Sequence, residues 1–198
     1  LTPAKVFDIL SDTCIKMVAV TGACAAAGLV IGGITMTGLA SKFGTLVFLI
    51  SNQDVLISLI VAAGLTILLG LGMPTPSAYI LAAVLISPVM QDLGIDLMAG
   101  HLFLLYFAVM SALTPPVAVA AYAASAIADE APMKIAGAAV RIAIGAFLIP
   151  FAFVFDQALL LQGSVIGIIT ATVCTAIGLI LFVVAQEGYW KQRLNAPV

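Results

Sequence analysis

Apolar runs constrain this chain more than any other feature, because a helix that spans a bilayer needs about 20 mostly apolar residues. Such runs cover residues 17–40, 134–157 and 163–185, and a fourth, residues 99–127, is long enough to cross although prolines interrupt it. Charged residues make up 8% of the chain, far below the roughly 25% of a soluble domain. The sequence therefore predicts an all-α transmembrane, multi-pass protein with four crossings. The two runs at 134–157, which contains Pro150, and 163–185 are expected to be ordinary spans.

Charge and motif content exclude several classes of function. Seven basic against nine acidic residues give a net charge of −2, so no basic face is available and no nucleic-acid partner is expected. The sequence has no H-E-x-x-H, G-x-S-x-G or Walker pattern and no carboxylate pair inside a span, so neither an enzyme nor a cofactor is indicated. The cysteines lie in apolar runs without a C-x-x-C spacing, which favours small buried residues over disulfides or metal ligands. They are Cys14, Cys24 and Cys174.

The ends of the chain differ from its centre. Residues 1–16 mix charged and apolar residues, a pattern typical of an amphipathic helix that lies in the membrane interface. Residues 17–157 form the predicted core, and residues 158–198 hold the last transmembrane helix and a cytoplasmic tail. The lipid bilayer is therefore the first expected partner.

The basic residues predict a topology. With the N-terminal segment in the cytoplasm, parity places the loop near residue 130 inside, residues 156–162 outside and the tail after Gln186 inside. Cytoplasmic ends of membrane proteins carry an excess of Lys and Arg. Lys42 is the exception, and Arg141, inside a predicted span, can extend toward the cytoplasmic interface. Five of the seven basic residues fit the rule: Lys5, Lys16, Lys134, Lys191 and Arg193.

Residues 55–90 form an apolar segment with a break at its centre. The arms 55–69 and 78–90 flank a tip rich in Gly and Pro, and each arm is too short to span a bilayer comfortably. This pattern predicts a re-entrant helical hairpin. Free backbone groups at such a tip are tolerated at membrane depth only inside protein or beside an aqueous cavity. The alternative is one long helix kinked by proline.

Residues 99–127 contain a second break. Two consecutive prolines, Pro115 and Pro116, remove two helical N–H donors, and the second also restricts the first to non-helical geometry. A discontinuous helix is therefore predicted. Its first turn carries His101, the only histidine, for which a proton relay and a hydrogen-bonded structural role both remain open.

Hydroxyl groups accompany both breaks. Thr75 and Ser77 follow the hairpin tip, and Ser111 and Thr114 precede the prolines. Carbonyls that end one half-helix, together with nearby hydroxyls, can surround a hard cation, while the N-terminus of the next half-helix favours an anion. The two breaks therefore suggest coupled movement of a cation and an anionic solute. Simple kinked packing helices are the alternative.

The residues at both breaks resemble a known family. The run from Gly70 through Gly72-Met73-Pro74-Thr75 to Ala78-Tyr79 is similar to the G-x-G-x-P-T-x-x-A-Y pattern of the large permease of TRAP (tripartite ATP-independent periplasmic) transporters, and Pro76 stands where that family commonly has Thr. The second block of resemblance starts at His101-Leu102-Phe103 and ends with Thr114-Pro115-Pro116-Val117. Ala118 follows where dicarboxylate-type permeases have Gly, which resembles the fused 4TM/12TM branch that works with TAXI-type binding proteins.

The resemblance implies a fold and a function. Such permeases are sodium-coupled importers of the bacterial inner membrane, built from two inverted repeats that each contain a hairpin and a broken helix, and an elevator-type movement is attributed to them. A periplasmic TAXI-type protein would deliver the solute. This chain has each feature once, so it looks like one half of the inverted repeat, the C-terminal one. Its partners would be the remaining permease half and small-subunit helices.

The predicted site joins both breaks. The leading hypothesis is a sodium-coupled transporter, with Na⁺ as the coupling ion and a small, anionic organic solute. The alternatives are a passive ion or solute channel and a structural membrane subunit. The predicted sodium ligands are Gly70, Gly72, Ser77, Ser111 and Thr114. The predicted solute-binding residues are Pro74, Thr75, Ser77, Thr114, Pro115 and Pro116.

Overall fold

A computed structural model describes residues 2–52, 54–190 and 192–193, and it is helical almost throughout this part of the chain. Lys191, one of the basic residues that predict the topology, lies outside the described residues. Two 3-10 turns, Ala146–Leu148 and Gln157–Leu160, and a two-residue antiparallel ladder, β1 (Tyr189–Trp190) with β2 (Gln192–Arg193), complete the fold. The helices are α1 (Pro3–Thr37), α2 (Leu39–Ser51), α3 (Val55–Gly70), α4 (Thr75–Asp92), α5 (Leu97–Met110), α6 (Val119–Ala128), α7 (Pro132–Ala143), α8 (Ile149–Phe155) and α9 (Val165–Glu187).

Polar residues between the apolar runs begin the helices. The Asp54 carboxylate accepts a hydrogen bond from the N–H of Ile57 at the start of α3, and Asp96 and Ser164 cap α5 and α9 in the same way. Such caps satisfy N–H groups that have no partner inside the helix. The sparse polar residues therefore fix where three of the apolar helices begin.

The first helix is longer than predicted. α1 is continuous over Pro3–Thr37, so no helix end separates residues 1–16 from the first predicted crossing. It ends where Gly38 adopts a left-handed conformation (φ 64°), which glycine does without a steric penalty. α2 then occupies a segment to which sequence reasoning assigned no element. An interfacial position for residues 1–16 stays a prediction.

The core of the fold is the three-helix unit α3–α4–α5. Residues 71–74 connect α3 to α4, and the two helices pack against each other. They therefore form a helical hairpin, and a single kinked helix is excluded. Buried residues from all three helices, including Leu59, Ile86 and Phe103, form one cluster. Phe103 and Phe107 of α5 also pack against Phe151 of α8, with ring centroids 5.2 and 5.9 Å from it. The hairpin is thus held firmly against α5.

The helices at the periphery differ in their capacity to cross a membrane. Among the described residues, α1 and α9 are each long and apolar enough to cross a membrane. α7 and the segment Ala146–Phe155 are bent relative to each other and make a third span if the two are counted together. α5 and α6 are shorter apolar helices. The chain is therefore an all-helical protein with membrane-capable helices, and the scheme of four crossings stays a prediction.

The run at 134–157 is not the ordinary span that the sequence predicts. α7 and the segment Ala146–Phe155 are bent by 58°, and the bend falls near Gly145 rather than at Pro150. Pro150 lies in the first turn of α8, where a missing N–H costs little. A Cβ atom at Gly145 would lie 2.9 Å from Cγ2 of Val183. Glycine thus permits the close approach of α9.

Arg141 of α7 also contacts α9. Its guanidinium lies 3.8 Å from the Glu187 carboxylate, and the Gln186 side chain donates to its carbonyl oxygen at 2.7 Å. These bonds join the end of α7 to the end of α9. Arg141 therefore lies beside the end of α9 that the topology places in the cytoplasm.

The cysteines are free thiols, and the expectation that they are buried is wrong. Cys14 and Cys174 are exposed and Cys24 is half-buried. The reason is the position of α1 and α9, which pack against little of the described chain.

Candidate functional site

The tip of the hairpin and the break between α5 and α6 meet at one cavity. Its volume is about 350 Å³. The hairpin supplies Gly70, Gly72, Met73, Pro74 and Thr75, and the region of the break supplies Ala112 and Val119. Two segments that lie some 40 residues apart in sequence thus form a single site, and none of the described residues that line it is charged.

Gly70 and Ser111 make the closest contact between the two breaks. The buried Ser111 hydroxyl lies within hydrogen-bonding distance of two carbonyl oxygens, Ala108 at 2.8 Å and Gly70 at 3.2 Å. A Cβ atom at Gly70 would lie 2.4 Å from that hydroxyl oxygen. The end of α3 can therefore rest on the end of α5 only because residue 70 has no side chain.

The break itself covers the residues between Met110 and Val119, with a cis peptide bond between Pro115 and Pro116. Hydrogen bonds across the break replace part of the lost helical pattern. The N–H of Ala120 donates to the carbonyl of Ala112 at 3.1 Å, and the N–H of Ala118 donates to the carbonyl of Thr114 at 3.1 Å. The break is thus an ordered backbone structure.

Thr114 uses its hydroxyl within this structure. Oγ1 donates to the carbonyl of Met110 at 2.9 Å. A hydroxyl has one hydrogen and two acceptor lone pairs, so this bond occupies the hydrogen and leaves the lone pairs available. The same holds for Ser111. Each hydroxyl oxygen can therefore accept a hydrogen bond or coordinate a cation.

The hairpin tip is shaped by glycine and proline. Gly72 has φ 75°, a left-handed conformation that favours glycine. α4 begins at Thr75 without a side-chain cap from Pro74. The first N–H groups of a helix have no partner inside it. In the first turn of α4, Pro76 has no N–H and the N–H of Ala78 donates to the Pro74 carbonyl at 3.1 Å, so Thr75 is the residue of this turn that brings such an N–H to the cavity.

Four helix ends meet at this cavity. The C-terminal ends of α3 and α5 and the N-terminal ends of α4 and α6 all border it. Helix C-termini carry partial negative charge and N-termini partial positive charge. The cavity therefore offers a cation and an anion adjacent places without any ionised side chain.

The structure separates the predicted site residues into three groups. Gly70, Gly72, Pro74 and Thr75 line the cavity. The Ser111 hydroxyl contacts the carbonyl oxygen of the lining residue Gly70. Ser77 is buried with its hydroxyl 3.8 Å from Cys24 Sγ of α1, which places it against α1. The remaining three are not among the lining residues: Thr114, Pro115 and Pro116. Their roles stay predictions.

Sequence reasoning did not select Met73, Ala112 or Val119, although all three line the cavity. Apolar and small residues carry no chemical signal in a chain that is mostly apolar. Only their position next to the Gly/Pro tip and the double proline could have indicated them.

His101 lies away from the cavity lining. Its ring nitrogens are hydrogen-bonded to Tyr79 and Ser87 of α4. Among the described residues, no group of three or more His, Cys, Asp or Glu side chains is placed to hold a metal ion.

Comparison with known families decides the identity. Residues 1–168 match the family model described as "Tripartite ATP-independent periplasmic transporter, DctM component". The chain belongs to this family. No curated protein and no solved structure matches it. As a DctM component it is part of a TRAP secondary transporter and is not an enzyme. DctM components generally work with a periplasmic binding protein and a small membrane subunit.

Proposed function

We propose that this DctM chain forms one sodium site and part of the solute cavity of a sodium-coupled importer in the bacterial inner membrane. The solute is a small, anionic organic molecule that a TAXI-type periplasmic binding protein delivers. The chain acts as one half of an inverted-repeat, elevator-type transporter, together with the remaining permease half and small-subunit helices. The observation that carries the proposal is the single cavity at which both breaks meet.

Neutral oxygen atoms support the sodium site. The hydroxyls of Ser111 and Thr114 both donate their hydrogen to a backbone carbonyl, so their lone pairs remain for a cation. The Gly70 carbonyl accepts a long bond, 3.3 Å from the N–H of Met73, and lies 3.2 Å from the Ser111 hydroxyl oxygen. Half-helix C-termini and unwound carbonyls are the groups that coordinate sodium in transporters of this architecture. Gly72 and Ser77 complete the proposed ligand set.

Helix N-termini support the anionic solute. α4 starts at Thr75 and α6 at Val119, and both residues line the cavity. An anion gains from the partial positive charge of these helix ends. At α6 this charge is the main contribution, because the N–H groups of Ala120 and Ala121 already donate to the carbonyls of Ala112 and Ala118. Pro74, Thr75, Pro115 and Pro116 are the proposed solute contacts at these two ends, with Ser77 and Thr114 beside them.

The identity of residue 118, Ala rather than Gly, is what supports the assignment to the TAXI-type branch. Ala118 is buried and left-handed, with φ 37° and ψ 57°. That conformation is one that glycine adopts more easily, in agreement with the Gly that dicarboxylate-type permeases carry there. Alanine at this position therefore strains the backbone at the start of α6, next to the proposed solute site.

Uptake measurements test the proposal. The permease is reconstituted in liposomes with its partner subunits and TAXI-type protein, and uptake of radiolabelled succinate, glutamate and pyruvate is measured. We expect uptake of at least one of these acids to saturate, to require an inward sodium gradient and to require the binding protein. Flux that does not saturate and is independent of sodium would indicate a passive channel and contradict the proposal.

Cysteine labelling tests the topology. In a variant without Cys14, Cys24 and Cys174, a single cysteine is placed at Gln162 or at Glu130, and intact cells are treated with an impermeant maleimide. We expect position 162 to react in intact cells and position 130 only after permeabilisation, because parity places these loops on opposite sides. Reaction of position 130 in intact cells would contradict the topology and the side from which the hairpin enters.

A further inference from the structure

His101 bridges the second arm of the hairpin and the first half of the broken helix. Its Nδ1 lies 3.0 Å from the Tyr79 hydroxyl and its Nε2 lies 3.2 Å from the Ser87 hydroxyl. Gln91 extends the network by donating to Ser87 at 3.2 Å. The Tyr79 and His101 rings also meet edge to face, with centroids 6.1 Å apart. One half-buried imidazole thus contacts α4 at points two helical turns apart.

These bonds are unusual for their location. Within α4 and α5, both fully described, the two bonds of His101 are the only side-chain hydrogen bonds between the helices. The rest of the contact is apolar and includes Ala82, Ile86 and Phe103. Apolar packing has no preferred direction, and lipid tails offer no hydrophobic force that would drive two membrane helices together. Hydrogen bonds are directional, so the two bonds of His101 favour one position of α4 along α5.

That register matters at the cavity. Tyr79 lies one turn from Thr75, where α4 begins at the tip, and α5 ends just before Ser111 at the break. A shift of α4 along α5 therefore moves the hairpin tip relative to the break. The Gly70–Ser111 contact tolerates little movement, because the two residues are already packed without space for a side chain.

We infer that His101 is a positioning residue for the sodium site, holding the hairpin in the register at which Gly70 and Ser111 meet. The inference rests on the proposed function. The hydroxyl partners suit this role, since a hydroxyl can donate or accept and a neutral imidazole does one at each nitrogen. Both bonds therefore form in either tautomer of the ring.

Sodium-dependent thermal stabilisation of the purified permease tests the inference without knowledge of the solute. A ligand that binds only the folded state raises the melting temperature by an amount set by the ratio of its concentration to its Kd, so a sodium chloride titration against choline chloride, fitted to this relation, yields the sodium concentration that half-saturates the site. We expect His101→Leu to raise that concentration about three- to ten-fold, the effect of losing one or two interhelical hydrogen bonds. His101→Gln, whose amide can still donate and accept, should stay within about two-fold of the wild type.

Phe103→Leu is the matched control. Phe103 is fully buried in α5 and makes no side-chain hydrogen bond, so this variant should lower the melting temperature while the half-saturating sodium concentration stays unchanged. Tyr79→Phe and Ser87→Ala each remove one partner and provide the test if His101→Leu does not fold.

The outcomes separate the inference from the proposed function. If sodium does not stabilise the wild type, the proposed sodium site is wrong and the inference falls with it. If the wild type responds but His101→Leu and the two partner variants keep the wild-type half-saturation, the inference alone is wrong. Equal shifts in His101→Leu and Phe103→Leu would show general destabilisation and also overturn it.

Discussion

Replacement of Gly70 by alanine is expected to weaken sodium binding by roughly 5- to 150-fold. The added methyl group would lie 2.4 Å from the Ser111 hydroxyl oxygen and 2.8 Å from its Cβ, so α3 and α5 must separate at the cavity. Overpacking of this kind typically costs about 1–3 kcal/mol, and where this strain falls on the sodium-bound geometry of the site it corresponds to that range of affinity. The measurement is the half-saturating sodium concentration, from thermal stabilisation of the purified permease and from uptake.

Gly64→Ala is the control for this prediction. Gly64 lies in the same helix, and a Cβ atom there would meet no atom within 4 Å, so alanine should be neutral or stabilise α3 through its higher helix propensity. Ser111→Gly removes both clashing atoms, and combined with Gly70→Ala it should restore part of the contact. Wild-type sodium affinity in Gly70→Ala alone would show that the contact between the two breaks is not needed for the site.

Replacement of Thr114 by valine is expected to weaken sodium binding while the fold is kept. Valine preserves the shape of the side chain and removes its oxygen. The loss of one neutral oxygen ligand costs about 1–3 kcal/mol, or roughly 5- to 150-fold in sodium affinity. Sodium-dependent uptake by the permease, with expression level and melting temperature measured in parallel, gives the comparison.

Thr172→Val controls for the hydrogen bond that Thr114 makes. Thr172 donates to the carbonyl four residues earlier at 2.7 Å, just as Thr114 does at 2.9 Å, but it lies on the exposed surface of α9. This variant should leave sodium affinity unchanged. An unchanged half-saturating sodium concentration in Thr114→Val, with normal transport, would mean that Thr114 is not a ligand.

The hairpin and the break could be predicted because both depend on local backbone chemistry. A cluster of Gly and Pro ends α3 at Gly70, and two adjacent prolines cannot continue α5. These effects act within a few residues of the chain. Sequence alone therefore located the two segments that form the cavity.

Features that depend on distant contacts could not be predicted in this way. The bend near Gly145 lies where Val183 of α9 approaches closely, and the Ser77 hydroxyl contacts Cys24 of α1. The cavity lining depends on which apolar residues the packing of α3, α4 and α5 turns toward the tip. In a chain with so few polar residues, the pattern of apolar residues does not distinguish lipid-facing from protein-facing surfaces.

The cavity has a further consequence for how such a transporter can diversify. None of the described residues that line it carries a charged side chain, and no Asp, Glu, Lys or Arg occurs in residues 55–91 or 97–128. Under the proposed function, the peptide groups at the four helix ends supply the charge preference, and peptide groups are the same whatever side chain follows them. We therefore expect substitutions at Met73, Ala112 or Val119 to reshape the space for a new solute and to leave the proposed preference for a cation beside an anion unchanged.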